Sequence, residues 1–114
     1  MRISFYRVAT SLLILGFFIA VFFRFFLLDS VPPSPSLDEV SIGYNAYSLL
    51  ETGRDEYGSV FPFLLRAYDD YRPGTYAYFV IPFIKLFGLS ALAVRIPSVL
   101  FSLLSIFIAY KLTK

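Results

Sequence analysis

Two long apolar segments, separated by an acidic middle, constrain this chain more than any other feature. Residues 8–28 are mainly apolar and carry one charge, on Arg24, and residues 75–109 are mainly apolar and carry two, on Lys85 and Arg95. As a helix, the first segment would be about 31 Å long, roughly the thickness of a bilayer core. Hydrophobic residues make up 58% of the chain and charged residues 16%, against about 45–50% and about 25% in soluble proteins. The sequence therefore predicts a membrane protein.

The distribution of charge predicts how the chain is oriented. All eight acidic residues lie between positions 29 and 70, whereas both ends carry basic residues alone. Because loops rich in Lys and Arg stay in the cytoplasm, both ends are expected there. The prediction is a multi-pass protein of the plasma or inner membrane. Its parts are a cytoplasmic N-terminus (1–7), a first transmembrane helix (8–28), an extracytoplasmic loop (29–90), a second transmembrane helix (91–112) and a cytoplasmic end (113–114).

The same residues allow two alternatives to this topology. Residues 1–28 could be a cleaved signal peptide, but Phe22, Phe23, Phe25 and Phe26 are bulky where a cleavage site needs small residues. Residues 75–109 could form two tight spans, but these would place the basic C-terminal end outside. An uncleaved anchor and one later span are favoured, with residues 76–87 as a short interfacial helix ended by Gly88.

The loop is predicted to open with an amphipathic helix over residues 37–52. Ser36 and Glu39 fit a capping box, and Gly53 follows as a helix stop. The predicted apolar face, expected to rest on an apolar surface, consists of Leu37, Val40, Tyr44 and Tyr47. With this helix the predicted fold is all-α: two transmembrane helices flanking an extracytoplasmic loop with interfacial helices.

Several charged residues outside this helix are predicted to have structural rather than catalytic roles. Arg24 is expected to extend to the membrane interface or to reach Asp29, and Arg95 to anchor the outer end of the second span. Residues 54–58 are expected to form a solvated turn.

Composition excludes several classes of function. With no cysteine and no histidine, there is no disulfide or thiolate site, and a metal site would need carboxylates. The net charge is only +2, and the basic residues form no patch with interleaved aromatics. Nucleic acid is therefore not an expected partner.

The adjacent acids Asp38 and Glu39 have two interpretations. Both lie in the first turn of the predicted helix, where the helix dipole favours negative charge by about 0.3–1 kcal/mol, and Glu39 completes the capping box. Asp38 is not the capping partner and projects into a polar stripe with Ser41 and Asn45. A carboxylate held there at a membrane interface is a candidate general base.

Four segments, in order, resemble the amino-terminal part of a GT-C glycosyltransferase of the bacterial branch related to protein O-mannosyltransferases and the lipid A aminoarabinose transferase. These are the acidic pair after the first span, IGYNAYSLLETGRDEYG (42–58), DYRP (70–73), and LFGLS (86–90) with AVRIPS (93–98). The resemblance implies an inverting transfer of a sugar from a polyprenyl phosphate to an acceptor on the outer face of the membrane. That acceptor is not identified by the resemblance.

The resemblance also implies roles for three residues. Asp38 and Glu39 match the catalytic acidic motif, with Asp38 as the base, and Arg72 matches the basic residue that engages the donor phosphate. Gly74 stands where the family has a second proline, which loosens the turn after Arg72. A simpler interpretation pairs Arg72 with Asp69 or Asp70. Some members of the wider class use a divalent metal, which Asp38 and Glu39 could share with other acids; no cofactor is otherwise implied.

Members of this class have many more spans, so the chain is expected to be a fragment that is inactive alone. The competing hypothesis is a small two-span membrane protein that acts as a subunit or interaction module without catalysis.

Overall fold

The computed structural model describes residues 2–67 and 70–113; for residues 2–6 and 9 it describes the backbone alone. Over these described residues the fold is mostly helical, with four helices that account for 66% of the chain. In chain order the elements are α1 (Arg2–Phe25), α2 (Leu37–Thr52), β1 (Leu64–Ala67), β2 (Asp70–Pro73), α3 (Thr75–Phe87) and α4 (Ala91–Leu112).

Within the described residues, α4 alone is long and apolar enough to cross a membrane. The segments Thr10–Phe25 and Thr75–Phe87 are apolar but shorter. Association with a membrane is thus supported by one helix, judged by its length and composition.

Helix boundaries agree closely with the sequence prediction where a clear cap is present. Helix α2 has the predicted bounds and ends at Gly53, whose φ of 68° is left-handed, and Ser90 caps α4 by accepting from the amide of Ala93. Helix α1 differs from the predicted 8–28, since it begins at Arg2 and ends at Phe25. The two prolines at 32 and 33 exclude helix from the segment that follows.

The all-α prediction missed a two-stranded antiparallel hairpin. Strands β1 and β2 pair with Leu65 opposite Arg72. Residues opposite each other on paired strands point to the same face. Leu65 is 2% exposed and belongs to the buried cluster with the helices, so this face is directed towards them. The sequence has no strong two-residue turn signal here, and the hairpin depends on this tertiary packing.

Small residues allow α2, α3 and α4 to pack closely. The core contains Ala46 of α2, Ala77 of α3 and Ala93 of α4, all at most 1% exposed. At Gly43 a Cβ atom would lie 2.9 Å from Cγ2 of Val94. A larger residue at position 43 would therefore push α2 away from α4.

The predicted apolar face of α2 is not the face that packs within this chain. Leu37, Val40, Tyr44 and Tyr47 are 40–73% exposed, whereas the buried positions of α2 are Gly43, Asn45, Ala46 and Leu49. The helix packs through its small residues because these permit close contact with α3 and α4. Of its larger apolar side chains, Leu49 is buried as well, whereas Leu37, Val40, Tyr44 and Tyr47 remain exposed.

Two further contacts join α4 to its neighbours. The hydroxyl of Tyr76 donates to the carbonyl of Val94 (2.7 Å) and accepts from the amide of Ser98 (3.1 Å), on either side of Pro97. Burial raises the pKa of Tyr76. In α1, Arg24 donates to the hydroxyl of Ser102 and so contacts α4. One of the two expectations for Arg24 was a contact with Asp29, and the structure shows the contact with Ser102 instead.

Candidate functional site

The start of α2 carries the two acids that the sequence singles out, and a capping box holds it. The hydroxyl of Ser36 accepts from the amide of Glu39 (3.2 Å), and Oε2 of Glu39 accepts from the amide of Ser36 (2.9 Å). The predicted capping box is therefore confirmed. The helix positions Asp38 and Glu39 on different sides, and each acid meets a different arginine.

Asp38 meets Arg72, which lies 34 residues later in the chain. Nη1 of Arg72 donates to Oδ1 of Asp38 (2.7 Å), and Nη2 donates to the hydroxyl of Ser41 (2.9 Å). The Asp38 side chain is 81% exposed and that of Arg72 is 23% exposed. The structure thus brings together the predicted base and the predicted phosphate ligand, with the carboxylate open to solvent.

The register of the hairpin explains this encounter. Because Leu65 enters the helical core, its cross-strand partner Arg72 is carried towards α2. Of the simpler partners expected for Arg72, Asp70 instead accepts from the amide of Tyr71 (2.8 Å), and Asp69 lies outside the described residues.

Glu39 meets Arg95 in a partly buried, two-point ion pair. Nε of Arg95 donates to Oε1 of Glu39 (2.7 Å) and Nη2 donates to Oε2 (3.1 Å). Nη1 also donates to the carbonyls of Leu28 (3.0 Å) and Pro32 (3.3 Å). The side chain of Arg95 is 7% exposed and that of Glu39 is 25% exposed. One guanidinium therefore connects the chain after α1, the start of α2 and the start of α4.

Sequence analysis missed this role for Arg95, which it treated as an anchor at the membrane interface. A signal was present, because an arginine in an apolar helix next to small residues requires an anionic partner when it is buried. Which of the eight acidic residues supplies that partner could not be read from the sequence.

The contacts of Glu39 also set its protonation. The hydrogen bond from Arg95, helped by the amide of Ser36, holds the pKa of Glu39 below its ordinary value of 4.5, although partial burial opposes the shift. Both oxygens of Glu39 accept hydrogen bonds from Arg95. These are the contacts of an anchoring carboxylate, and the catalytic role predicted for Glu39 stays a prediction.

The loop after α2 is more ordered than the solvated turn expected from the sequence. Asp55 is 5% exposed, and its Oδ1 accepts from the amides of Tyr57 (3.0 Å) and Ser59 (2.7 Å). Asn45, 1% exposed, donates to Oε1 of Glu56 (2.9 Å) and accepts from the amide of Glu56 (3.1 Å). The loop is thereby fixed against α2.

Between this loop and α2 lies a groove of about 260 Å³. Its lining consists of Leu37, Val40, Ser41, Tyr44, Glu56, Tyr57 and Ala67. Ser41 belongs both to this groove and to the contact with Arg72, so the groove adjoins the Asp38–Arg72 pair.

The described residues do not favour a metal centre around Asp38 and Glu39. Each of these acids already accepts from an arginine. Among the described side chains there is no group of three or more potential acidic ligands. No metal-dependent step is therefore assigned to this site.

No family model, no curated protein and no solved structure matches this chain.

Proposed function

We propose that this chain carries the donor-binding part of an inverting membrane glycosyltransferase, which transfers a sugar from a polyprenyl phosphate to an acceptor on the outer face of the membrane. One observation carries the proposal: Asp38 and Arg72 are in direct contact, 2.7 Å apart, although 34 residues separate them in the chain. The resemblance of the sequence to GT-C enzymes supplies the identity of the donor.

The pair has the two chemical groups that such a transfer requires. In a single displacement, a base removes the proton of the acceptor while positive charge stabilises the departing phosphate. Asp38 is exposed and accessible to an acceptor, and the guanidinium of Arg72 is suited to two-point contact with phosphate oxygens.

In the structure, however, Arg72 is bonded to Asp38 itself. The donor phosphate would compete with Asp38 for Arg72, so that binding of the donor releases the base. Glu39 has a positioning role in this proposal, since its bonds to Ser36 and Arg95 orient the first turn of α2.

The finer topology also belongs to the proposal. We place α1 and α4 across the membrane with both chain ends in the cytoplasm, so that residues 29–90 and the Asp38–Arg72 pair lie outside. At 1.5 Å per residue α1 and α4 are about 36 Å and about 33 Å long, so both reach across a bilayer core by length. Within the described residues α4 alone is also apolar over such a length, and the apolar part of α1 is Thr10–Phe25. The basic residues near the two chain ends, Arg2, Arg7, Lys111 and Lys114, support the orientation.

Cysteine labelling tests this topology in a chain that has no cysteine of its own. In intact spheroplasts, a membrane-impermeant maleimide is expected to label the Ser59→Cys variant but not Thr113→Cys. The Thr113→Cys variant is expected to react after permeabilisation. Labelling of Thr113→Cys in intact spheroplasts, or protection of Ser59→Cys, would contradict the two-span arrangement.

Binding of polyprenyl phosphate to the chain in lipid nanodiscs tests the role of Arg72. We expect Arg72→Gln to weaken binding about tenfold or more, because it removes a charge-assisted contact with phosphate. Asp38→Asn is expected to strengthen binding, because the competing carboxylate is lost. Arg54→Gln is the matched control, since Arg54 bonds the carbonyl of Gly58 instead. Equal affinities for the wild type and Arg72→Gln would refute the phosphate-binding role.

The exposed apolar face of α2 favours a second candidate, a subunit that packs against partner helices. Leu37, Val40, Tyr44 and Tyr47 would then lie in a protein interface. That function requires the helix and its cap but not the charge of Asp38, so it would survive the change of Asp38 to asparagine.

A further inference from the structure

We infer that the groove between α2 and the following loop is the subsite for the sugar ring of a lipid-phosphate donor. This inference rests on the proposed function and extends it, by assigning the side chains that recognise the sugar. The groove is defined by its lining, given above, and Ser41 joins it to the contact with Arg72.

The position of Glu56 is the first argument. Its Oε1 accepts from the buried amide of Asn45, and its own backbone amide donates to the same side chain. Asn45 also donates to the carbonyl of Ser41 (2.9 Å). A buried asparagine thus holds an exposed carboxylate in one place beside the groove. Such a fixed carboxylate is suited to accept hydrogen bonds from hydroxyl or amino groups of a ligand.

The aromatic residues supply the second argument. Tyr44 lies on α2 and Tyr57 on the loop, and both line the groove. Tyr57 is further held by the guanidinium of Arg66, 5.0 Å from its ring centroid. Rigid aromatic rings provide apolar surface for the C–H faces of a sugar, while their hydroxyl groups bond to its polar edge.

Size and neighbourhood favour a sugar ring over the polyprenyl chain. The groove of about 260 Å³ lies just below the range of about 300–1,000 Å³ for pockets that enclose drug-sized ligands. A single ring suits this volume. Since Arg72 is adjacent through Ser41, a phosphate bound there would deliver the attached sugar to the groove.

The test compares lipids that carry a sugar with one that does not. The purified chain in nanodiscs is titrated with polyprenyl-phosphate mannose, polyprenyl-phosphate aminoarabinose and bare polyprenyl phosphate. We expect at least one of the sugar-bearing lipids to bind about tenfold more tightly than the bare lipid, as one charge-assisted hydrogen bond would provide.

Two groove variants should remove this gain and leave affinity for the bare lipid within about twofold of wild type. In Glu56→Gln the amide oxygen still accepts from Asn45, so the loop is retained while the charge is lost. Tyr44→Ala removes an exposed ring. The matched controls are Glu51→Gln and Tyr47→Ala. Both residues lie on α2 and are exposed, as Glu56 and Tyr44 are, but neither lines the groove. Both controls should retain the gain.

Several results would overturn the inference while leaving the role of Arg72 intact. These are equal affinity for all three lipids, an unchanged gain in both groove variants, or an equal loss for bare and sugar-bearing lipids, which would indicate a site for the polyprenyl chain. If Arg72→Gln also binds the bare lipid as wild type does, the proposed function itself fails.

Discussion

Replacing Asp38 with asparagine is expected to lower the rate of sugar transfer by about 10²–10⁴-fold, the usual contribution of a general base. Asparagine retains the size of the side chain but cannot take the proton of the acceptor. The substitution is introduced into the gene as it occurs in the source cell, so that the protein is expressed at its natural length. Transfer is measured in isolated membranes as consumption of polyprenyl-phosphate sugar, with mannose and aminoarabinose donors in parallel.

The same substitution should barely change stability, and this contrast makes the result diagnostic. The Asp38 side chain is 81% exposed, and exposed ion pairs contribute about 0–1 kcal/mol. Asp70→Asn is the control, because Asp70 is an exposed acid of the same loop that does not contact Arg72 in the structure. If Asp38→Asn retained full transfer activity, the general-base role of Asp38 would be refuted. The subunit hypothesis would then be favoured.

Replacing Arg95 with alanine is expected to lower the free energy of unfolding by about 3 kcal/mol, at the lower end of the range of about 3–5 kcal/mol for breaking a buried ion pair. The substitution leaves Glu39 partly buried without its partner. It also removes the donor to the carbonyls of Leu28 and Pro32. Denaturant unfolding in detergent micelles, followed by circular dichroism, measures the loss.

Arg95→Lys is the matched control for charge. Lysine keeps the positive charge but lacks the planar fork that bonds both oxygens of Glu39, so its stability should lie between those of the wild type and Arg95→Ala. A loss below about 1 kcal/mol in Arg95→Ala would show that the pair behaves like an exposed one.

The ion pair also predicts an acid transition. Since the pKa of folded Glu39 is lowered from 4.5, the unfolded state binds the proton more readily. The stabilisation is therefore fully present above about pH 4.5 and is lost as the pH falls through the lowered value. Wild-type stability should decrease in this acid range more steeply than that of Glu39→Gln. If the stability of the wild type and of Glu39→Gln depended on pH in the same way, Glu39 would not be the cause of the acid transition.

Local signals in the sequence were sufficient for the boundaries of the helices that have clear caps. Ser36, Glu39 and Gly53 predicted both ends of α2, because capping and left-handed termination are interactions between residues a few positions apart. They also sufficed to single out Asp38 and Arg72, since an unexplained acid and a motif can be recognised without knowing their distance.

Local signals did not predict what each surface contacts. The apolar face predicted for α2 contains Leu37, Val40, Tyr44 and Tyr47, yet the face that packs within the chain contains Gly43, Ala46 and Leu49. Periodicity identifies faces of a helix, but close packing of helices can favour small side chains over large ones. The hairpin was missed for a similar reason, because burial of Leu65 against three helices stabilises it.

The sequence by itself determined the mostly helical architecture, the limits of α2 and α4 and the separation of acidic from apolar segments, because these follow from caps, composition and apolar runs along the chain. The tertiary structure alone decided which arginine each acid meets: Arg72 for exposed Asp38 and Arg95 for Glu39. These partners are 34 and 56 residues apart. Charge acts through space, and only the packing of the hairpin and of α4 against α2 sets that distance.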